Sequence, residues 1–247
     1  CYHEFKIYTK GKSRMILAPS KPLKLRQRWI LDEILNKLPT NQCCHGFVQQ
    51  RSIKTNAEMH VNKTQVLCMD IHNFFPSINI NQVFEAFHCV GYTSDVAQAL
   101  AQLCTHNAIL PQGAPTSPTL ANIIFSPIDQ QILNAISTKE ITYTRYADDL
   151  IFSSSHELDF LIPLVSEIIS TNGFEINSNK THLMKNPYRK MITGLIVTDT
   201  VKIPKYYKRK FNQELFYCEK YGVASHLKNC KTHKKVNFKE YMYGKAY

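Results

Sequence analysis

The chain has 247 residues, 44% of them hydrophobic, with 30 Lys and Arg against 19 Asp and Glu. That is enough apolar material for a substantial core in one or two domains. No run approaches the roughly 18 uninterrupted apolar residues of a membrane helix, and the N-terminus lacks a charged-then-apolar signal, so a cytoplasmic protein without a membrane partner is expected. The eight cysteines include no Cys-x-x-Cys pair, and adjacent Cys43 and Cys44 are poorly spaced for one tetrahedral ion, which argues against zinc and disulfide frameworks.

Residues 3–18 alternate apolar and polar around Lys10, Lys12 and Arg14, the pattern of a hairpin with a basic turn able to reach a triphosphate. Residues 23–38 have the apolar spacing of a packing helix, with Trp29 on or near its inner side. Its Lys24, Arg26 and Arg28 form either a solvated face or nucleic-acid contacts. After a strand or loop at 45–52, Asn56 and His60 stand four apart, on one face if helical. Residues 66–70 form an apolar run ending in Asp70, as in a strand buried on both faces. Two scaffold helices broken near Gly91 are expected over 82–108. The loop 110–115 cannot be regular helix. Ser117 and Pro118 are read as the N-cap and first residue of a helix that Pro127 kinks or restarts.

Residues 141–153 place Asp148 and Asp149 between two β-branched and aromatic runs, which reads as strand, tight turn, strand. Adjacent carboxylates repel unless a cation neutralises them, and hard divalent ions prefer oxygen ligands. If Asp70 meets Asp148 from a separate strand, the acids can hold two Mg²⁺ ions, with Mn²⁺ as a substitute. The chemistry is then nucleotidyl transfer or nuclease action.

A helix at 158–169 stops at Asn172-Gly173, and 191–198 is β-rich. Pro204 opens a helix with Tyr207, Phe211, Leu215 and Cys218 on one stripe, ending at Gly222. From Lys202 to Tyr247 there are twelve Lys or Arg against three Glu, a balance of +9, whereas the first 201 residues carry only +2. A basic segment interleaved with aromatics suits a folded, nucleic-acid-facing module, with Lys205, Lys208, Arg209 and Lys210 as RNA contacts.

These residues carry a resemblance. Tyr146-Ala147-Asp148-Asp149 resembles the Tyr-x-Asp-Asp box of reverse transcriptases, and the stretch from Met69 through Asp70 to Phe75 resembles their first palm motif. The loop from Leu110 to Pro118 lies between them in matching order. Asn56, Ala57 and His60 resemble the Asn-Ala-x-x-His signature that separates retron enzymes from intron and retroviral relatives. Ile192-Thr193-Gly194 stands where retrons carry Val-Thr-Gly.

The resemblance implies an α+β right hand: fingers at 1–64, palm at 65–86 and 110–198, helices of fingers and palm at 87–109, and a partial helical thumb at 199–247. It implies that Asp70, Asp148 and Asp149 bind metal and that Lys180 protonates the leaving pyrophosphate. Arg14, Lys12, Phe75, Gln112 and Gly113 would hold the dNTP, Phe75 excluding a 2′-hydroxyl. Asn56, His60, Thr193 and Gly194 would contact RNA.

The implied activity is RNA-directed DNA synthesis from a 2′-hydroxyl of a structured non-coding RNA, giving RNA-linked DNA, with an effector protein in anti-phage defence. The alternatives are another bacterial reverse transcriptase, of group II intron or abortive-infection type, a catalytically inactive nucleic-acid scaffold, or a two-metal nuclease.

Overall fold

The computed structural model describes residues 2–9, 12–185, 190–229 and 237–246, with the side chains of Thr9, Lys12 and Asn229 outside that set. Lys10 and the Lys12 side chain, both expected at a triphosphate, therefore lie outside the described residues.

The alternating N-terminal stretch forms an antiparallel hairpin, β1 (Tyr2–Thr9) and β2 (Lys12–Pro19), with Ile7 opposite Arg14. Helix α1 (Lys21–Glu33) follows, then a short 3₁₀ turn and α2 (Ile53–Glu58). Ser52 and Thr55 cap α2 reciprocally, satisfying amide groups that a helix start leaves open.

The centre is a four-stranded antiparallel sheet ordered β4-β5-β3-β6, made of β3 (Gln65–Asp70), β4 (Thr142–Tyr146), β5 (Asp149–Ser154) and β6 (His182–Met184). Between β3 and β4 run α3 (Ile80–Cys89), α4 (Ser94–Cys104) and the 20-residue α5 (Ser117–Ile136). The chain breaks at Gly91, whose φ of 110° suits glycine. Helix α6 (Leu161–Thr171) follows β5.

Strand alternation gives the sheet two different faces. Leu67, Met69, Tyr143, Leu150 and Phe152 join the main core with Phe125, Ile128 and Ile132 of α5 and Val165 and Ile169 of α6. Val66 and Ile151 face the other way, against Ala57 of α2 and a small three-stranded sheet: β7 (Lys190–Ile192), β8 (Leu195–Val197) and β9 (Val201–Lys202). Helices α7 (Lys205–Tyr221), α8 (Val223–Asn229) and α9 (Phe238–Ala246) finish the described chain.

Several local expectations are corrected. Trp29 is 59% exposed and Leu25 73% exposed; the inner face of α1 is built from Gln27, Ile30 and Leu31 instead. The first residue of α5 is Ser117 and its N-cap is Thr116. The Ser117 hydroxyl donates to the Pro111 carbonyl at 2.7 Å, so it ties down the preceding loop rather than capping the helix. Pro127 lies inside one continuous helix.

The β-rich stretch 191–198 folds back on itself because Thr193 and Gly194 have φ of 45° and 85°, a two-residue hairpin turn. Gly222, at φ 76°, ends α7 as expected, but no residue of α7 is buried. Leu215 and Tyr207 are exposed, and the inner edge runs through Phe211, Glu214 and Cys218.

Candidate active site

The site is set by strand register. Asp70, last residue of β3, pairs directly across from Asp149, first residue of β5, so both side chains emerge on the same face at the same end of the sheet. The Ile71 amide donates to the Asp148 carbonyl at 2.9 Å, tying the hairpin tip to the end of β3. Asp70 is almost wholly buried, and Lys180 places Nζ 2.6 Å from its Oδ2. Lys180 arrives on a short 3₁₀ turn, Ser178–Lys180, anchored by the Asn177 amide on the Asp70 carbonyl at 2.8 Å.

Electrostatics mark the acids as an incompletely neutralised group. Burial raises the Asp148 carboxyl above the usual range, with Asp70 adding to it, while the charges of Lys180 and Arg14 oppose the rise. Asp149 is pushed up to about 6 by burial and by the neighbouring Asp148 and Asp70 charges. Among the described residues, no three His, Cys, Asp or Glu side chains close around a single point that would hold an ion. The donor chemistry nonetheless fits a hard divalent cation: Asp70 and Asp149 stand opposite each other at one sheet end with Asp148 next to them, and among the described residues the cation paired with Asp70 is the Lys180 ammonium.

A cleft of about 450 Å³ opens on this face, lined by Asp70, Asp149, Lys180, Tyr146, Thr193 and Gly194, among others. The hairpin turn at 193–194 is held there by the Thr193 hydroxyl donating to the Ile53 carbonyl of α2 at 3.3 Å. Beside the N-terminal hairpin, the Leu17 amide donates to the Gln112 carbonyl at 2.8 Å. Gly113 has φ of 128°, and a Cβ there would sit 2.6 Å from the Leu17 carbonyl oxygen, so the close approach of β2 to this loop requires glycine. Phe74 is buried in the core, whereas Phe75 is half-buried, its ring centroid 6.2 Å from that of Phe47.

The expectation that Asn56 and His60 touch RNA is corrected, because both are fully buried. His60 instead sits beneath the acid hairpin, Nε2 2.7 Å from the Thr144 hydroxyl on β4 and Nδ1 2.6 Å from the Ser153 hydroxyl on β5. The side-chain carboxamide of Asn56 has no hydrogen-bond partner among the described residues. Lys205, Lys208, Arg209 and Lys210 are exposed along α7.

Sequence reasoning missed the support of the turn itself. Arg145 is fully buried, and its guanidinium forks onto Asp129 of α5 with Nε to Oδ1 at 2.9 Å and Nη2 to Oδ2 at 2.8 Å. Its Nη1 donates to Asn122 Oδ1 at 2.9 Å and to the Ala147 carbonyl at 3.2 Å. Ala147 has φ of 58°, a left-handed conformation uncommon outside glycine. Gly46 packs so tightly that a Cβ would lie 2.4 Å from the Ala147 nitrogen. The available signal was a lone Asp129 inside the apolar stripe of α5 and an arginine on the inward phase of β4.

The comparisons agree with this geometry. A family model described as reverse transcriptase (RNA-dependent DNA polymerase) matches residues 6–214. The Retron Ec86 reverse transcriptase of Escherichia coli is 34% identical over 239 residues, covering 91% of this chain and 73% of the relative. The Retron Mx65 reverse transcriptase of Myxococcus xanthus is 34% identical over 215 residues, 79% of this chain but only 50% of the relative. In fold, the chain is similar to telomerase from Candida albicans, solved with a fragment of telomeric RNA. The TM-score is 0.60 at 12% identity, over 99% of this chain and 54% of that one. With its acids at one sheet end and a family match across most of its length, the chain belongs to the reverse transcriptase family, and within it to the retron type.

Proposed function

We propose that the protein is an RNA-directed DNA polymerase that extends a primer hydroxyl with dNTPs at the end of β3 and β5. The observation that supports the reading is the register of Asp70 with Asp149, which sets two acids distant in sequence directly opposite each other, with Asp148 adjoining at the hairpin tip. Asp70, Asp148 and Asp149 would hold Mg²⁺, and such ions supply an activated attacking hydroxyl and a stabilised leaving pyrophosphate.

The chain's own groups do the rest. Lys180, with Nζ already in the site, carries a proton that the departing pyrophosphate can accept. Arg14, whose charge is felt at Asp148, balances the triphosphate. The loop at Gln112 and Gly113 forms the nucleotide's wall against β2, and the half-buried Phe75 ring opposes a ribose 2′-hydroxyl. Exposed Lys205, Lys208, Arg209 and Lys210 on α7 suit the phosphates of a template and primer duplex. On this reading the fingers are 1–64, the palm 65–86 and 110–198, the helices of fingers and palm 87–109, and a partial thumb 199–247.

The retron likeness supports the finer reading that the primer is a 2′-hydroxyl of a structured RNA partner, that the product is RNA-linked DNA, and that the enzyme acts with an effector protein in anti-phage defence. The test is Asp148→Ala: dNTP incorporation on a primed RNA template is abolished while RNA affinity stays near that of the parent. Equal synthesis by the two proteins would overturn the assignment of the acids.

A further inference from the structure

Helix α1 presents a face that the polymerase site does not use. Leu25 and Trp29, four residues apart and therefore stacked on one side of the helix, are 73% and 59% exposed. At 100° per residue, Lys21, Lys24 and Arg28 flank this apolar stripe on one side and Arg26 on the other, and all four are exposed. Among the described residues none of the four forms an ion pair, and the nearby acid Glu33 is engaged by Lys37 at 2.7 Å. Asp32 lies beyond them at the C-terminal end of the helix.

The exposure is built in. On the opposite face Gln27 is fully buried, with Nε2 donating to the Tyr2 hydroxyl and to the Leu103 carbonyl, both at 2.8 Å. Ile30 and Leu31 are buried beside it. These contacts fix the rotation of α1, so Trp29 is held outward.

The helix also starts beside the nucleotide pocket. Lys21 follows four residues after Leu17, whose amide bonds Gln112, and Trp29 lies only about 12 Å further along the axis.

We propose that this face of α1 is the track on which single-stranded RNA template approaches the pocket, with Trp29 stacked on a template base and Lys21, Lys24, Arg26 and Arg28 on its phosphates. An indole flanked by unpaired cations matches the two features every nucleotide offers, a π-face and a phosphate. The identity of the strand as template rests on the polymerase reading; the binding surface does not.

Trp29 is the only tryptophan in the chain, so fluorescence excited at the red edge, where indole absorbs and tyrosine does not, reports this site alone. Poly(U) RNA is expected to quench it, with the quenching reversed by salt and weakened in Lys24→Glu/Arg28→Glu. Trp29→Ala should lose about tenfold in affinity for a primed RNA carrying a 5′ template overhang, the usual worth of one stacked base. It should bind a blunt duplex as the parent does and melt at the same temperature. Unchanged fluorescence at RNA concentrations that saturate binding of labelled RNA would overturn the proposal. So would equal losses on blunt and overhanging duplexes, or quenching by anionic vesicles and not by RNA. dNTP incorporation is read separately: overhang binding through Trp29 without synthesis keeps the surface and refutes the polymerase reading, and synthesis with an unperturbed Trp29 does the reverse.

Discussion

Lys180 Nζ lies 2.6 Å from Asp70 Oδ2, so the ammonium occupies the position against this carboxylate that a divalent cation would contest. Lys180 is about two-fifths exposed while Asp70 is buried, and the lysine is free to swing out where the aspartate is not. In Lys180→Met the acids lose their nearest cation. The variant should melt lower than the parent in EDTA by roughly 2–4 °C, the equivalent of about 1 kcal/mol in a chain of this size, and Mg²⁺ should raise its melting temperature more than the parent's. Equal Mg²⁺ responses would mean that Lys180 and the metal do not share a place.

The left-handed turn at Ala147 depends on Arg145 from one side and Gly46 from the other. Arg145→Lys keeps the charge but loses the fork onto Asp129 and the contact to the Ala147 carbonyl, and each lost hydrogen bond to a charged group costs about 1.5–3 kcal/mol. Gly46→Ala drives a methyl into the Ala147 nitrogen at about 1–3 kcal/mol. Both should depress dNTP incorporation, and for Gly46→Ala the loss of activity should exceed what its melting temperature explains. Urea unfolding and primer extension on the same preparations check the two parts.

His60 gives the fold a pH dependence of definite sign. Burial first, then the charges of His45 and Lys63, hold its imidazole down to about 3 from an ordinary 6.5. The unfolded chain therefore takes up a proton in that interval and the folded chain does not. The stability linked to His60 is whole above pH 6.5 and drains as the pH falls toward 3, by up to about 1.4 kcal/mol per pH unit. Asp149 opposes this, because its raised carboxyl gains a proton in the folded state first, and His45, also lowered by burial, adds to it. Comparison with His60→Gln isolates the one group: the variant should be less stable at neutral pH and show a shallower acid slope in urea unfolding. An identical slope would remove the neutral imidazole from the account.

How much was legible beforehand depended on whether the signal was local. Strand alternation, turn residues and the Asp-Asp hairpin are written in consecutive residues, but the register between separate strands is not: Asp70 was expected to meet Asp148, and its directly paired partner is Asp149. Trp29 was misplaced because spacing counts apolar residues without knowing which face meets the body. Here Gln27, a polar residue, took the inner position through the Tyr2 hydroxyl and Leu103 carbonyl. The RNA role expected of His60 came from the resemblance alone, since four-residue spacing gives a face and not its direction. The Arg145 and Asp129 pair joins positions 16 apart on different elements, and nothing in either segment alone specifies the partner.

Helix α7 presents Lys205, Lys208, Arg209 and Lys210 to solvent and buries none of its residues, so its substitution tests RNA contact with little structural interference. If these four cations meet phosphates, each neutralised phosphate contributes about 0.7–0.9 to the slope of log affinity against log salt. Lys208→Glu/Lys210→Glu should weaken binding of a primed RNA duplex and flatten that slope by about 1.4–1.8, independently of sequence. Helix α7 also anchors α9, through Glu214 and Lys245 at 2.6 Å, and that contact is left intact by the double variant. A salt titration of labelled duplex decides it: an unchanged slope with reduced affinity would assign the loss to altered helix packing, and an unchanged affinity would move the duplex off this helix altogether.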